Sequence, residues 1–342
     1  MPEPVLTLRA INRALLDRQL LLERSSLSIP EAVEQIGGLQ TQYAPSGYVG
    51  LWTRLEGFER NRLTQALEDR TVIQGSLMRT TIHIVSRREF WPYAMGVRRA
   101  RRQSTLRLAG ATTQAEMLAG ADRMREALAD GPRSVKELGD LASGFVGLHG
   151  LWVDLVRVPP SGTWERRRAD RLGLAEDWVG PSDATEEEGL VHLVRAYLRA
   201  FGPASWRDIA SWAGVGVTDA RRGGNSLSLG RYRDEEGREL VDLEGVELPD
   251  PDAPAPVRFL PHWDANLLVH ARRAGILPAA YRPRVFSTRK PFSVGTYLVD
   301  GSVAGAWSLR DGRIELDPFR ALSAADDRAV DREREALEAF HA

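Results

Sequence analysis

Apolar and polar positions along this chain recur in blocks whose period changes, and the changes mark its elements. Leu8, Ile11, Leu15 and Leu22 fall on one face at helical spacing and predict a first helix. Ser28-Ile29-Pro30-Glu31 carries helix-start signals, and Gly37-Gly38 stops that second helix. A third begins near Pro45, with Tyr48, Leu51, Trp52 and Leu55 on one side, and a fourth spans about 59–69. The period then drops to two in 71-TVIQGSLMRTTIHIV-85. That predicts a strand hairpin with Met78, Ile82 and Ile84 on one face and Arg79, Thr81 and His83 on a polar, solvated one.

An internal repeat organises the middle of the chain. 131-GPRSVKEL-138 matches 202-GPASWRDI-209 as Gly-Pro-x-Ser-x-x-acid-aliphatic. In each copy Gly-Pro ends a helix, the serine caps the next, and the acid three residues on completes a capping box, Asp208 less well than Glu137. Amphipathic helices at about 114–129 and 186–200 precede the copies, and strand hairpins follow, turning at Pro160-Ser161-Gly162 and near Glu236-Gly237. Helix, helix, helix, hairpin is the winged-helix order. The chain therefore reads as α+β, with three tandem winged-helix modules at 1–105, 106–183 and 184–250. The proline-rich run Asp250–Pro256 leads into a β-rich subdomain at 251–322, with strand-like runs Val257–Leu260, Leu267–His270, Thr296–Val299 and Val303–Leu309. A charged amphipathic helix, 323–342, closes the chain.

Composition narrows the chemistry. There are no cysteines, which removes thiolate catalysis, disulfides and cysteine-held metals. No apolar run is long enough to span a bilayer, and the N-terminus lacks a charged region followed by an apolar one, so the expected location is the cytoplasm, in association with the nucleoid. Of 46 basic residues only Lys136 and Lys290 are lysine. Arginine suits bidentate phosphate contacts, but a net charge of −1 means a DNA binder must concentrate its arginines on one face.

The candidate site begins in 38-GLQTQYAPSGYVGLW-52. In extended backbone after the glycine stop, Gln40 and Gln42 share a face. Two converging amides, each both donor and acceptor, can hold a water, a base edge or a phosphate; the plainer alternative is a turn whose glutamines bond the local backbone. Arg79, Thr81 and His83 form a polar strand face near this corner. Arginines recur beside aromatics: Arg98, Arg99, Arg101 and Arg102; Arg166, Arg167 and Arg168 near Trp164; and Arg231 and Arg233 around Tyr232. Such clusters suit backbone grip and base stacking on double-stranded DNA. The expected DNA contacts are Tyr43, Ser46, Arg79, Thr81, His83, Arg166, Arg168 and Arg233. His262-x-Asp264 lacks a third ligand, so no metal and no cofactor is expected.

These segments, with 77-LMRTTIHIVSRREF-90, 196-AYLRAFGPASWRDIASWAG-214, 257-VRFLPHWDANLLVHARR-273 and 298-LVDGSVAGAWSL-309, resemble the AlkZ-type winged-helix DNA glycosylases, which include the YcaQ-like proteins. The resemblance implies three winged-helix motifs in a C-shape around a DNA-sized channel. It also implies excision of alkylated purines, of the N7-alkylguanine and 3-methyladenine type, with unhooking of interstrand crosslinks in some members. The family's paired glutamines map onto Gln40 and Gln42. Two departures stand out: Thr41 replaces an apolar middle residue, and 262–277 is less acidic, although Asp264 and Asn266 remain as secondary candidates.

The chemistry agrees. An N7- or N3-alkylated purine is cationic and leaves neutral, so it needs little general-acid help; placing water and stabilising the sugar cation remain. With neither lysine near the glutamines in sequence, a monofunctional enzyme acting as a monomer, with an open groove for bulky lesions, is expected. The alternatives are a non-enzymatic winged-helix regulator, which has no use for both glutamines, and a small-molecule-sequestering protein.

Overall fold

The computed structural model describes residues 3–141, 146–268, 275–286 and 293–342. Lys290 and His270 lie outside the described residues, as does the end of the predicted Leu267–His270 strand.

The start and stop signals act as written. Thr7 caps helix Leu8–Arg18 by accepting from Ala10 N at 3.1 Å. That helix stops before Leu22, because Leu20 turns left-handed at φ 56°. Ser28 and Glu31 form a capping box on helix Ile29–Gln35. Gly37 and Gly38, at φ 76° and 85°, swing the chain out of the helix into strand Leu39–Gln40. A Cβ on Gly38 would stand 3.2 Å from the Ile84 carbonyl, so glycine is required there for space as well as conformation. In the repeat, Ser134 and Ser205 accept from the backbone N–H three residues on, both at 3.2 Å. Glu137 reaches back to Ser134 N at 2.7 Å, whereas Asp208, one methylene shorter, takes the Ser205 hydroxyl at 2.8 Å.

The first two hairpins fuse into a single six-stranded sheet. Its order is Leu39–Gln40, Ile82–Ser86, Val72–Ser76, Leu155–Arg157, Arg171–Leu174 and Arg133–Ser134. The seam is the antiparallel pairing Gln74↔Arg157 and Gly75↔Val156. Strand Leu229–Asp234 pairs with Glu239–Leu243 and takes the N-terminal strand Val5–Leu6 in parallel on its free edge. A four-stranded antiparallel sheet, Arg258–Leu260, Gly295–Val299, Ser302–Arg310 and Arg313–Pro318, forms the C-terminal part.

Helices Phe90–Leu108 and Glu186–Phe201 pack in close contact: a Cβ on Gly96 would meet the Gly189 carbonyl at 2.5 Å. Helix Ala324–His341 lays Val330 and Leu337 on the C-terminal sheet, in one cluster with Phe259, Tyr297 and Trp307. Among the described residues no helix is long and apolar enough to cross a membrane.

Three expectations change. Residues 265–268 are helical, because the Asp264 carboxylate accepts from Asn266 N at 3.0 Å and its carbonyl from Leu267 N at 3.1 Å, nucleating a turn. The second hairpin is a four-residue strand against a three-residue one, joined by a long loop rather than a tight turn at Gly162. Within the loop the Ser161 hydroxyl accepts from Asp170 N at 2.7 Å and Arg171 N at 3.0 Å. Three arginines of helix Phe90–Leu108 are structural, while Arg99 stays exposed: Arg98 and Arg101 both bind buried Asp154, and Arg102 stacks over Trp152, 5.3 Å from its centroid. Burial raises the Asp154 pKa, but Arg101 and Arg98 together outweigh it and hold the carboxyl below its ordinary value.

Candidate functional site

Gln40 pairs with His83 across the ladder, and Thr41 N continues it with a 2.8 Å bond to the Ile82 carbonyl. Extended backbone sends alternate side chains to opposite faces. Thr41 therefore points inward, 1% exposed, and accepts from Gln74 Nε2 at 2.9 Å. A hydroxyl at this middle position is accommodated because a buried amide meets it.

The two glutamines have different surroundings, since the strand ends at Gln40 and Gln42 lies in the bend after it. Gln40 is buried and its Oε1 accepts from Arg79 Nη2 at 2.6 Å. Gln42 is exposed and its Oε1 accepts from Ile82 N at 3.3 Å. Both partners can only donate, so the atom facing each must be the amide oxygen. Each carboxamide then presents its NH₂ on the opposite side of its own plane, and each oxygen keeps a second lone pair. Gln42's bond goes to the backbone of strand Ile82–Ser86, 40 positions on, the same strand that pairs with Gln40.

The alternation read through Arg79, Thr81 and His83 is interrupted. Met78–Thr80 forms a 3₁₀ turn, with Arg79 and Thr80 left-handed at φ 54° and 59°. Arg79 is drawn inward, where it also donates to the Trp212 carbonyl near the end of helix Trp206–Ala213. Burial lowers its pKa to about 10, still cationic at neutral pH. Arg79 thus ties the third repeat unit to Gln40. His83 is 2% exposed, its Nδ1 bonded to the Thr81 carbonyl at 3.0 Å. Burial, with the Arg79 cation adding, pushes its pKa down to about 3. A neutral, buried ring cannot grip a phosphate, so His83 is removed from the DNA-contacting set, while Thr81 stays half-buried and donates to the Met78 carbonyl at 3.0 Å.

Asp264 and Asn266 are also structural. Asp264 accepts from buried Arg54 at 2.9 Å and from Asn266 Nδ2 at 2.8 Å, and Asn266 reaches Gln19 at 3.2 Å. Both carboxylate oxygens of Asp264 are thus engaged by protein donors inside the fold.

The exposed arginines lie elsewhere. Arg166, Arg167 and Arg168 stand on the loop of the second hairpin, and with Ser134, Ser161 and Arg171 they line a concavity of about 380 Å³. Arg168 pairs with Asp170 at 3.1 Å. Arg233 is half exposed and held by Glu3 at 2.9 Å and the Gly237 carbonyl at 2.8 Å. Arg167 donates to the Tyr43 hydroxyl at 3.2 Å, linking this loop to the residue after Gln42.

Sequence reasoning missed a second cavity, of about 340 Å³, lined by Tyr43, Ser46, Trp164, His262, Trp307 and His341 among others. Tyr43 lies edge-on to His262 at 5.6 Å, and His262 to Trp307 at 5.7 Å. Burial, with His341 adding, lowers the His262 pKa to about 4. Ser46 is buried, and its hydroxyl has no hydrogen-bond partner. Nothing in local sequence links Tyr43 to Trp307. Among the described residues no group of three or more His, Asp or Glu is arranged to hold a metal ion.

The family model described as DNA glycosylase AlkZ-like matches residues 33–340. The interstrand DNA cross-link repair glycosylase of Streptomyces sahachiroi is 23% identical over 352 aligned positions, covering 93% of this chain and 92% of that protein. The solved structure of Streptomyces sahachiroi DNA glycosylase AlkZ shares the fold at a TM-score of 0.82 and 19% identity, over 98% of this chain and 96% of that one. The chain belongs to the AlkZ-like DNA glycosylase family, and it is an enzyme that acts on N-glycosyl bonds of DNA.

Proposed function

We propose that this enzyme is a monofunctional glycosylase that hydrolyses the N-glycosidic bond of alkylated purines, of the N7-alkylguanine and 3-methyladenine type, and that it unhooks interstrand crosslinks built on such bonds. The observation that supports this reading is the fixing of two amides two residues apart, Gln40 at the end of strand Leu39–Gln40 and Gln42 in the bend after it. Gln40 is held by Arg79 and Gln42 by Ile82 N–H. A water between them receives N–H donation to its oxygen and gives its own hydrogens to the second lone pairs of the amide oxygens. That orients its nucleophilic lone pair toward the anomeric carbon without a strong base. A cationic leaving base makes this sufficient, since the bond breaks toward a neutral purine and an oxocarbenium-like sugar.

The three modules at 1–105, 106–183 and 184–250, with the β-rich 251–322 and the helix 323–342, are proposed to act as winged helices framing a C-shaped channel for duplex DNA. Tyr43, Ser46 and Thr81 flank the water site. Arg166, Arg168 and Arg233 grip phosphates, and Arg79 acts through Gln40 rather than on DNA. The protein works as a monomer in the cytoplasm, at the nucleoid.

The test is a duplex carrying 7-methylguanine, treated with enzyme and then hot alkali to reveal abasic sites. Gln40→Ala with Gln42→Ala should abolish excision, by about 100-fold or more, while leaving most of the DNA affinity. Excision that survives the double change would refute the water-positioning role. Borohydride should trap no covalent adduct.

A further inference from the structure

Neither Gln40 nor Gln42 lines the aromatic cavity. Its walls are Tyr43, Trp164, His262, Trp307 and His341, converging from five separate stretches of chain. The rings meet edge-on or tilted: His341 stands 5.4 Å from Trp164 and 6.0 Å from Trp307. Such an arrangement offers ring faces and edges to a planar guest. At about 340 Å³ the space is within the range of small-ligand sites. Two donors serve it: the buried Ser46 hydroxyl, which has no partner, and the Arg167 guanidinium at its edge.

The occupant follows from charge and place. The two imidazoles are neutral at physiological pH, both lowered by burial first. A cationic group in the cavity would meet the fixed charge of Arg167. An uncharged aromatic group meets none, and an acceptor atom on it would satisfy Ser46. Tyr43, one wall, is the residue after Gln42, which places the cavity next along the chain to the proposed water site.

We propose that this cavity is an adduct subsite, which receives an uncharged aryl substituent carried by the alkylated purine and makes aryl-bearing lesions better substrates than methylated ones. The subsite rests on the excision reading above but is distinct from it: the glutamines act on the sugar, and the cavity on the substituent.

The experiment compares single-turnover excision of N7-benzylguanine and N7-methylguanine from the same duplex. The proteins are wild type, His262→Ala, which removes one wall, and Leu309→Trp, which fills the mouth from a position 40% exposed on strand Ser302–Arg310. Thermal melts confirm that each variant folds. In a parallel arm, quenching of tryptophan fluorescence is followed with free N7-benzylguanine and N7-methylguanine bases. Wild type should favour the benzyl lesion by about tenfold or more in kcat/KM. Leu309→Trp should erase that preference while excising the methyl lesion within about twofold of wild type. Equal rates for the two lesions in wild type, or a preference unchanged in both variants, would overturn the subsite. If wild type excises neither lesion, the excision reading fails, and the quenching arm decides the cavity alone. Saturable quenching by the benzyl base, lost in Leu309→Trp, supports it, and no saturation sinks it.

Discussion

Asparagine in place of Asp264 keeps the shape of the side chain and removes its charge, which makes it a sharp test of whether that carboxylate does chemistry or holds the fold. Asp264 accepts from Arg54 Nη2 at 2.9 Å, from Asn266 N at 3.0 Å and from Asn266 Nδ2 at 2.8 Å. Arg54 is 1% exposed, so the substitution leaves a guanidinium buried without its counter-charge. Breaking a buried pair from one side costs about 3–5 kcal/mol. Against a total stability of roughly 5–15 kcal/mol, that is about a fifth or more. The expected drop in melting temperature is about 10 °C, measured by circular dichroism or calorimetry. Excision of 7-methylguanine, assayed well below the lowered transition, should stay within a few-fold of wild type. Removing both charges with Asp264→Leu and Arg54→Met should recover part of the lost stability. A variant that melts like wild type but loses about 100-fold in rate would refute the reasoning, because that pattern belongs to a general base.

Arg79→Met should lower kcat by roughly tenfold or more with KM little changed, since Gln40 loses the donor that orients it, and Arg79→Lys should recover part by keeping one of two bonds; full activity in the methionine variant would sever Arg79 from the site. Arg166→Ala with Arg168→Ala should reduce the slope of log affinity against log salt by about 2, one phosphate contact each, with little loss in single-turnover rate at saturating enzyme; an unchanged slope would move the DNA off this loop. Acid should destabilise the protein before its carboxylates protonate. His83 and His192 are both lowered to about 3, burial being the leading cause, while an unfolded histidine titrates near 6.5. Because the folded pKa is depressed, the unfolded chain binds protons first, so stability is lost as pH falls below about 6.5 and the loss continues down to about 3. Each contributes about 2 kcal/mol between pH 7 and pH 5, measurable by urea denaturation, and a flat pH profile over that window would contradict their burial.

How far a sequence discloses such a site depends on whether the forces that build it are local. The capping boxes, the Gly37-Gly38 stop and the Gly237 turn depend on residues within four positions of each other, and all were legible. The extended backbone expected after the glycines forms at Leu39–Gln40, but it ends there, and Gln42 lies in the bend that follows. The turn at Met78–Thr80 was not legible: its left-handed residues are Arg and Thr, which announce nothing, and Arg79 is held there by Trp212, 133 positions away in sequence. The same limit explains the arginines. A run such as Arg98 to Arg102 reads as a basic patch until Asp154 comes in from the neighbouring strand pair and neutralises two of them, whereas Arg166 to Arg168 keep their exposure because a loop pinned by the Ser161 hydroxyl holds them outward. Charge in a sequence thus locates cations but not their counter-ions. The separation of exposed arginines from buried, paired ones is a tertiary fact, and it makes the loop that carries Arg166 to Arg168 the place to test the proposed grip on DNA.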